Sequence, residues 1–194
     1  GALLVPNISP DGQWLVYQEG TIQRDILTLK VGSQIPNQLT DDAFNDTYPV
    51  WSPDGRKIAF CSSRGGNMDI WTINPDGSGR QQITDLKEQK VFKCTWSPDG
   101  ARMAYYISGG RSFIIDMTKP FSEQTPREIV FNNEAKQFFV AMDWSPDGRV
   151  IEMLSFPLGE GSPAPALRLH LDRTESLLAE RRLLFAERLA SLGR

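Results

Sequence analysis

One histidine, His170, and two cysteines, Cys61 and Cys94, are the whole supply of imidazole and thiol in 194 residues. A Ser/His/Asp or Cys/His nucleophilic site needs a base beside its nucleophile, and His170 stands in the strand-like run LRLHLD with no serine elbow near it. A single imidazole also excludes the multi-histidine metal centres. The cysteines sit in KIAFCSS and VFKCTW, with neither metal nor redox spacing, and read as small buried apolar residues; one bridge between neighbouring segments is the alternative. Basic residues are outnumbered, 21 against 24 acidic, for a net charge of −3, so the cationic footprint of a general nucleic-acid binder is missing. No apolar run approaches the roughly 18 residues of a membrane span. Glycine-rich phosphate cradles are absent too: SRGGN and PDGSG read as hairpin turns with no helix behind them. No cofactor or resident metal is expected, and no enzymatic activity.

What the chain does have is one phrase written four times. WSPDG occurs at 51–55, 96–100 and 144–148, and ISPDG at 8–12 is a copy lacking only the tryptophan. Their aspartates, Asp11, Asp54, Asp99 and Asp147, are 43, 45 and 48 residues apart, which is the period of a repeat architecture. In the clearest copy, residues 47–84, the proline of SPDG presets φ for a turn, the aspartate favours its second corner, and the glycine accepts the positive φ that re-enters a strand. RKIAFCSS alternates, Ile58 and Phe60 against Ala59 and Cys61; MDIWTIN follows with Ile70 and Thr72 against Trp71 and Ile73, and RQQIT supplies a polar edge. Each repeat is thus expected to be a four-stranded antiparallel meander. A sheet this small with two apolar faces must stack on its neighbours, and radial stacking makes a β-propeller. Trp51, Trp96 and Trp144, in register with Asp54, Asp99 and Asp147, are expected to wedge between adjacent sheets as structural residues.

The run WSPDGRKIAFCSSRGGNMDIWTINPDGSGRQQIT, preceded by Asp46 and Pro49, resembles the repeat of the TolB-like, Tol-associated periplasmic β-propeller family. The resemblance covers about residues 3–172, with the fourth copy lacking a convincing last strand. It implies an all-β propeller of about four four-stranded blades, a periplasmic location and a non-enzymatic platform that holds a protein or peptide. It equally implies the alternative of a substrate-gating propeller domain of a serine peptidase or of an oligogalacturonide lyase-like enzyme. Six blades are usual in the family, and this chain has four.

Two domains are expected, propeller blades over 1–172 and an amphipathic helix over 173–194. Asp172 and Glu175 form a capping-box-like start, Gly193 a stop, and Leu178, Phe185 and Leu192 recur every seven residues. Arg181 and Arg188 project from the same face, so Arg181, Phe185, Arg188 and Leu192 are candidate partner contacts, through carboxylates on a partner, on a second copy or on the propeller's own rim; the alternative is that the arginine stems pack while their guanidinium groups reach water. Loops between repeats and between second and third strands form one rim, with Asp46, Tyr48, Arg64, Asn67, Lys90, Arg111 and Asn133 as candidate partner-binding residues. DDAFND, with Asp41, Asp42 and Asp46, gathers carboxylates; a solvated loop is expected there, a weak calcium site being the alternative.

Overall fold

A computed structural model describes residues 4–20, 22–129, 138–157 and 165–171. The strands fall into four sheets, each a meander in chain order. The first is β1 (Leu4–Ile8), β2 (Trp14–Glu19), β3 (Asp25–Lys30) and β4 (Asn37–Gln38); the second is β5 (Asp46–Trp51), β6 (Ile58–Ser62), β7 (Asp69–Ile73) and β8 (Gln81–Gln82). The third is β9 (Val91–Trp96), β10 (Arg102–Ile107), β11 (Ser112–Asp116) and β12 (Arg127–Ile129), and the fourth has three strands, β13 (Phe138–Trp144), β14 (Val150–Pro157) and β15 (Pro165–Leu171). All pairings are antiparallel. Among the described residues the only helical segment is the 3-10 turn Phe121–Glu123. The helix expected over 173–194, with Arg181, Phe185, Arg188 and Leu192, lies outside the described residues, as does Asn133.

Sheets stack face to face in sequence order, each first strand lying against the preceding sheet. Alternation along β6 shows why. Ile58 and Phe60 join Val16, Ile26, Leu39, Trp51 and Ile73 in a core between the first and second sheets. Ala59 and Cys61 join Ile70, Ile83, Val91, Cys94, Tyr105 and Ile107 in a core between the second and third. Both faces are covered, so all five residues of β6 are buried. Trp51 is buried in the first of these cores, Trp96 packs against the second, and Trp144 against a third formed by Ala104, Ile114, Ile129 and Val150. Burial of a side chain of this size contributes about 2–3 kcal/mol at the first boundary, and the half-buried Trp96 and Trp144 contribute less at the other two. Among the described residues, no comparable packing joins the fourth sheet to the first.

The four SPDG turns are one structure repeated. In each, the glycine N–H donates to the serine carbonyl at 2.9 Å, and the serine Oγ–H donates to the aspartate Oδ1. The serine oxygen also accepts the backbone N–H that opens the second strand, from Trp14, Lys57 and Arg102 at 2.9 Å and from Arg149, in a loop one residue shorter, at 3.0 Å. Gly55 and Gly100 have φ of 69° and 71°, and a Cβ there would touch Pro10 Cδ at 3.8 Å or Pro53 Cδ at 3.7 Å, so consecutive turns lie against each other.

Inner strands are less regular. Pro49 has no N–H for the ladder, and the β5–β6 register shifts between Thr47 and Val50. Tyr48 takes φ of 54°, the sole non-glycine positive φ among the described residues, and its N–H donates across the sheet boundary to Gln18 Oε1 at 2.7 Å. Trp51 N–H likewise donates to Asn7 Oδ1 at 3.0 Å. Backbone bonds from Asp46 N to Arg24 O and from Val91 N to Met68 O, each 2.9 Å, pin each new strand to the previous sheet.

Candidate functional site

Antiparallel meanders put two sets of connections at opposite ends of the sheets. One end, the rim, carries the loops between repeats and those between second and third strands; the other carries the SPDG turns and the loops between third and fourth strands. Asp46, Tyr48, Arg64, Asn67, Lys90 and Arg111 all stand at the rim end. They differ in what they can offer a partner.

Arg64 is interior, its side chain 6% exposed. Nη1 meets Asp42 Oδ2 at 2.9 Å, Nη2 meets Asp46 Oδ2 at 2.6 Å, and Nε donates to Ser62 Oγ at 2.8 Å. Phe44, Phe60 and Trp71 surround the guanidinium, with ring centroids 5.7, 5.6 and 5.4 Å from Cζ. Asp46 is fully buried, and Arg80 adds a second cation to Asp42 at 3.2 Å. This network fastens the loop between the first and second repeats. In DDAFND, expected as a solvated loop, two of the three carboxylates instead face guanidinium groups, and Asp46 is buried, because the loop folds back onto Arg64.

Asn67 donates to the carbonyls of Leu86 and Gln89 and so shapes the next inter-repeat loop. Tyr48 is half-buried at the bulge. Lys90 is exposed, and Arg111, half-exposed, forms a bidentate pair with Glu128 at 2.7 and 2.6 Å, which raises the arginine pKa and lowers that of the glutamate. Sequence reasoning missed the apolar members of the rim. Ile22 is 92% exposed, Phe92 45% and Phe44 40%, all at this end. Isolated apolar residues in loops carry no periodic signal that would single them out.

Below the rim lies a buried polar group the sequence did not flag. Asp69 accepts Thr84 Oγ1 and Leu86 N, each at 2.9 Å; burial raises its pKa, and its Oδ2 has no partner. Burial, aided by the Asp69 charge, pushes the Tyr105 phenol up to about 12. The Cys61 thiol is pushed up by its hydrogen bond to Cys94 and then by burial. Both cysteines are buried and unbridged, facing one another from the second and third sheets. Nucleophilic thiols are held low, and Cys61 is held high. His170 lies on β15, opposite Glu152 in the ladder.

The turn end holds a cleft of about 360 Å³ between the first and second sheets, lined among others by Asp11, Trp14, Asn37, Trp51, Asp54 and Gly55. A second, of about 420 Å³, lies between the second and third, with Asp54, Lys57, Trp96, Asp99 and Gly100. Asp11, Asp54, Asp99 and Asp147 all have lowered pKa values, the serine hydroxyl of each turn being the largest cause. A signal for the first cleft exists in the sequence: where copies two and three place Lys57 and Arg102, copy one has Trp14.

Meandering sheets stacked in order around cross-boundary tryptophans define the β-propeller class. The model of the TolB β-propeller domain matches residues 1–151, and the chain belongs to that family. It is 41% identical over 78 residues to the uncharacterised protein Atu1656 of Agrobacterium fabrum, covering 40% of this chain and 27% of that protein. It is 33% identical over 70 residues to dipeptidyl-peptidase 5 of Porphyromonas gingivalis, covering 32% of this chain and 10% of that one. The solved putative TolB of Agrobacterium tumefaciens superposes with a TM-score of 0.61 at 23% identity, over 88% of this chain and 59% of that one, a likeness of fold. The matches therefore span about a quarter or less of these curated relatives and under two thirds of the solved one.

Proposed function

We propose that the chain is a non-enzymatic, protein-binding propeller of the bacterial cell envelope, in the periplasm, holding a peptide or protein on its rim as an accessory part of a larger assembly. The observation that carries this is the rim's composition. Ile22, Phe44 and Phe92 stand exposed among polar loops that Arg64 and Asn67 hold in place, which is the pattern of apolar anchors within a polar surround used in protein recognition. Membership of the TolB propeller family supports the envelope setting.

The test is retention of envelope proteins on the immobilised chain, comparing wild type with Phe44→Asp, Phe92→Asp and Lys90→Glu. A partner held by the wild type and lost by about tenfold or more in the rim variants is expected. Retention indifferent to all three variants contradicts the placement. Similarity to dipeptidyl-peptidase 5 supports a second reading, a propeller that serves a hydrolase, and peptide hydrolysis by the isolated chain would favour it.

A further inference from the structure

Counted from the serine of each turn, the sixth residue is Trp14, Lys57 and Arg102 in the first three copies. At the boundary of the third and fourth sheets, Arg102 crosses the gap. Its Nη2 donates to the Gly148 carbonyl at 3.3 Å and lies 4.0 Å from Asp99 Oδ2, and its Cζ stands 5.0 Å from the Trp144 ring centroid. The matching residues one repeat earlier are Gly100, Asp54 and Trp96, and they line the second cleft together with Lys57. One further repeat back they are Gly55, Asp11 and Trp51, and they line the first cleft, whose walls include no Lys or Arg. Trp14 takes the place of the cation.

Charge and shape at this first boundary ask for one. Asp11 and Asp54 each turn Oδ1 toward their own serine hydroxyl and a backbone N–H, which holds both ionised near neutrality. Asp99 and Asp147 meet Arg102 at 4.0 Å and Arg149 at 3.2 Å, whereas neither Asp11 nor Asp54 forms an ion pair among the described residues; Arg56 gives Asp54 its backbone N–H at 3.0 Å, and its guanidinium acts only as a nearby charge. Trp14, 36% exposed, and the buried Trp51 add two indoles to the walls, and an indole face attracts a cation. A guanidinium suits the cleft better than an ammonium, because a flat cation stacks on an aromatic ring while its N–H groups still reach a carboxylate and a carbonyl, as Arg102 does. Ile8, Val31 and Ile35, 61%, 61% and 81% exposed, stand at the same end of the first sheet and offer contact to apolar residues flanking an arginine.

We propose that the cleft between the first and second sheets binds an arginine side chain of a partner polypeptide, the guanidinium taking among Asp11, Trp51, Gly55 and Trp14 the place that Arg102 takes at the third boundary. The site is at the opposite end of the sheets from the rim and stands whether or not the rim binds anything.

The test uses the full chain and three acetylated, amidated tripeptides, Val-Arg-Val, Val-citrulline-Val and Val-Lys-Val, titrated while the tryptophan indole N–H signals are followed by NMR. The arginine peptide is expected to shift the Trp14 and Trp51 signals saturably, and the neutral citrulline isostere to bind about tenfold or more weakly. Trp14→Arg, which supplies the cation from within, is expected to abolish binding. Asp11→Asn/Asp54→Asn, which keeps an acceptor oxygen for each serine, is expected to weaken it by about tenfold or more while the variant is still folded, the stability lost with the two turn charges being read separately from its unfolding curve. The rim variants serve as controls expected to bind the peptide unchanged. Equal binding of arginine and citrulline peptides, undiminished binding by either cleft variant, or unmoved indole signals at saturating peptide overturns the proposal.

Discussion

Arg64 shows how a residue at a loop end becomes part of the interior. Its guanidinium faces two carboxylates and three aromatic rings while its side chain stays 6% exposed, so it neutralises the fully buried Asp46. Removing one member of such a pair strands the other charge out of water. Arg64→Met is therefore expected to destabilise the fold by about 3–5 kcal/mol, and adding Asp46→Asn to recover a large part of that loss, read by chemical denaturation of both variants. If the double variant is as unstable as the single, Arg64 acts by packing and not by charge. These ion pairs were not legible in the sequence: Asp42 and Asp46 lie 22 and 18 residues before Arg64, and it takes the β5–β6 register, with Asp46 opposite Ser62, to bring them together. The positive φ at Tyr48 was hidden for the same reason, since the group that receives its N–H is Gln18, 30 residues earlier.

At the level of the element, the SPDG turns were legible because every bond that shapes them is local, from serine to aspartate two residues on and to the strand that follows. The opposed faces of β6 and β7 were legible as well, since period-two alternation maps directly onto the two cores. Ser52→Ala is expected to cost about 1–2 kcal/mol, because Lys57 N–H loses its acceptor in a partly buried place. The turn aspartates add a pH dependence. Their folded-state pKa values lie below the unfolded value, so their contribution is complete above that value, near pH 4, and is lost as the pH falls through the lower folded-state value. Asp69, raised by burial, works in the opposite sense: its ionised form opposes folding at neutral pH, and protonation relieves that. Ser52→Ala is expected to narrow the acid-dependent difference attributable to Asp54, visible as a smaller loss of unfolding free energy between pH 5 and about pH 3 than in the wild type.

For the whole molecule, stacking order is what turns four weak meanders into one body. A rim can gather loops from several repeats, and a cleft can form between SPDG turns, only if neighbouring sheets pack face to face. The repeat period implied this arrangement, but the clefts were not readable from any one copy, since each is built from two. Methyl–methyl NOEs on the chain labelled at Ile, Val and Leu measure the stacking directly. The expected result is contacts from Val16 and Ile26 to Ile58 and Ile73 across the first boundary, and from Ile70 and Ile83 to Val91 and Ile107 across the second. A spectrum in which these methyls report only partners within their own sheet would contradict the radial stack and the two binding surfaces that depend on it.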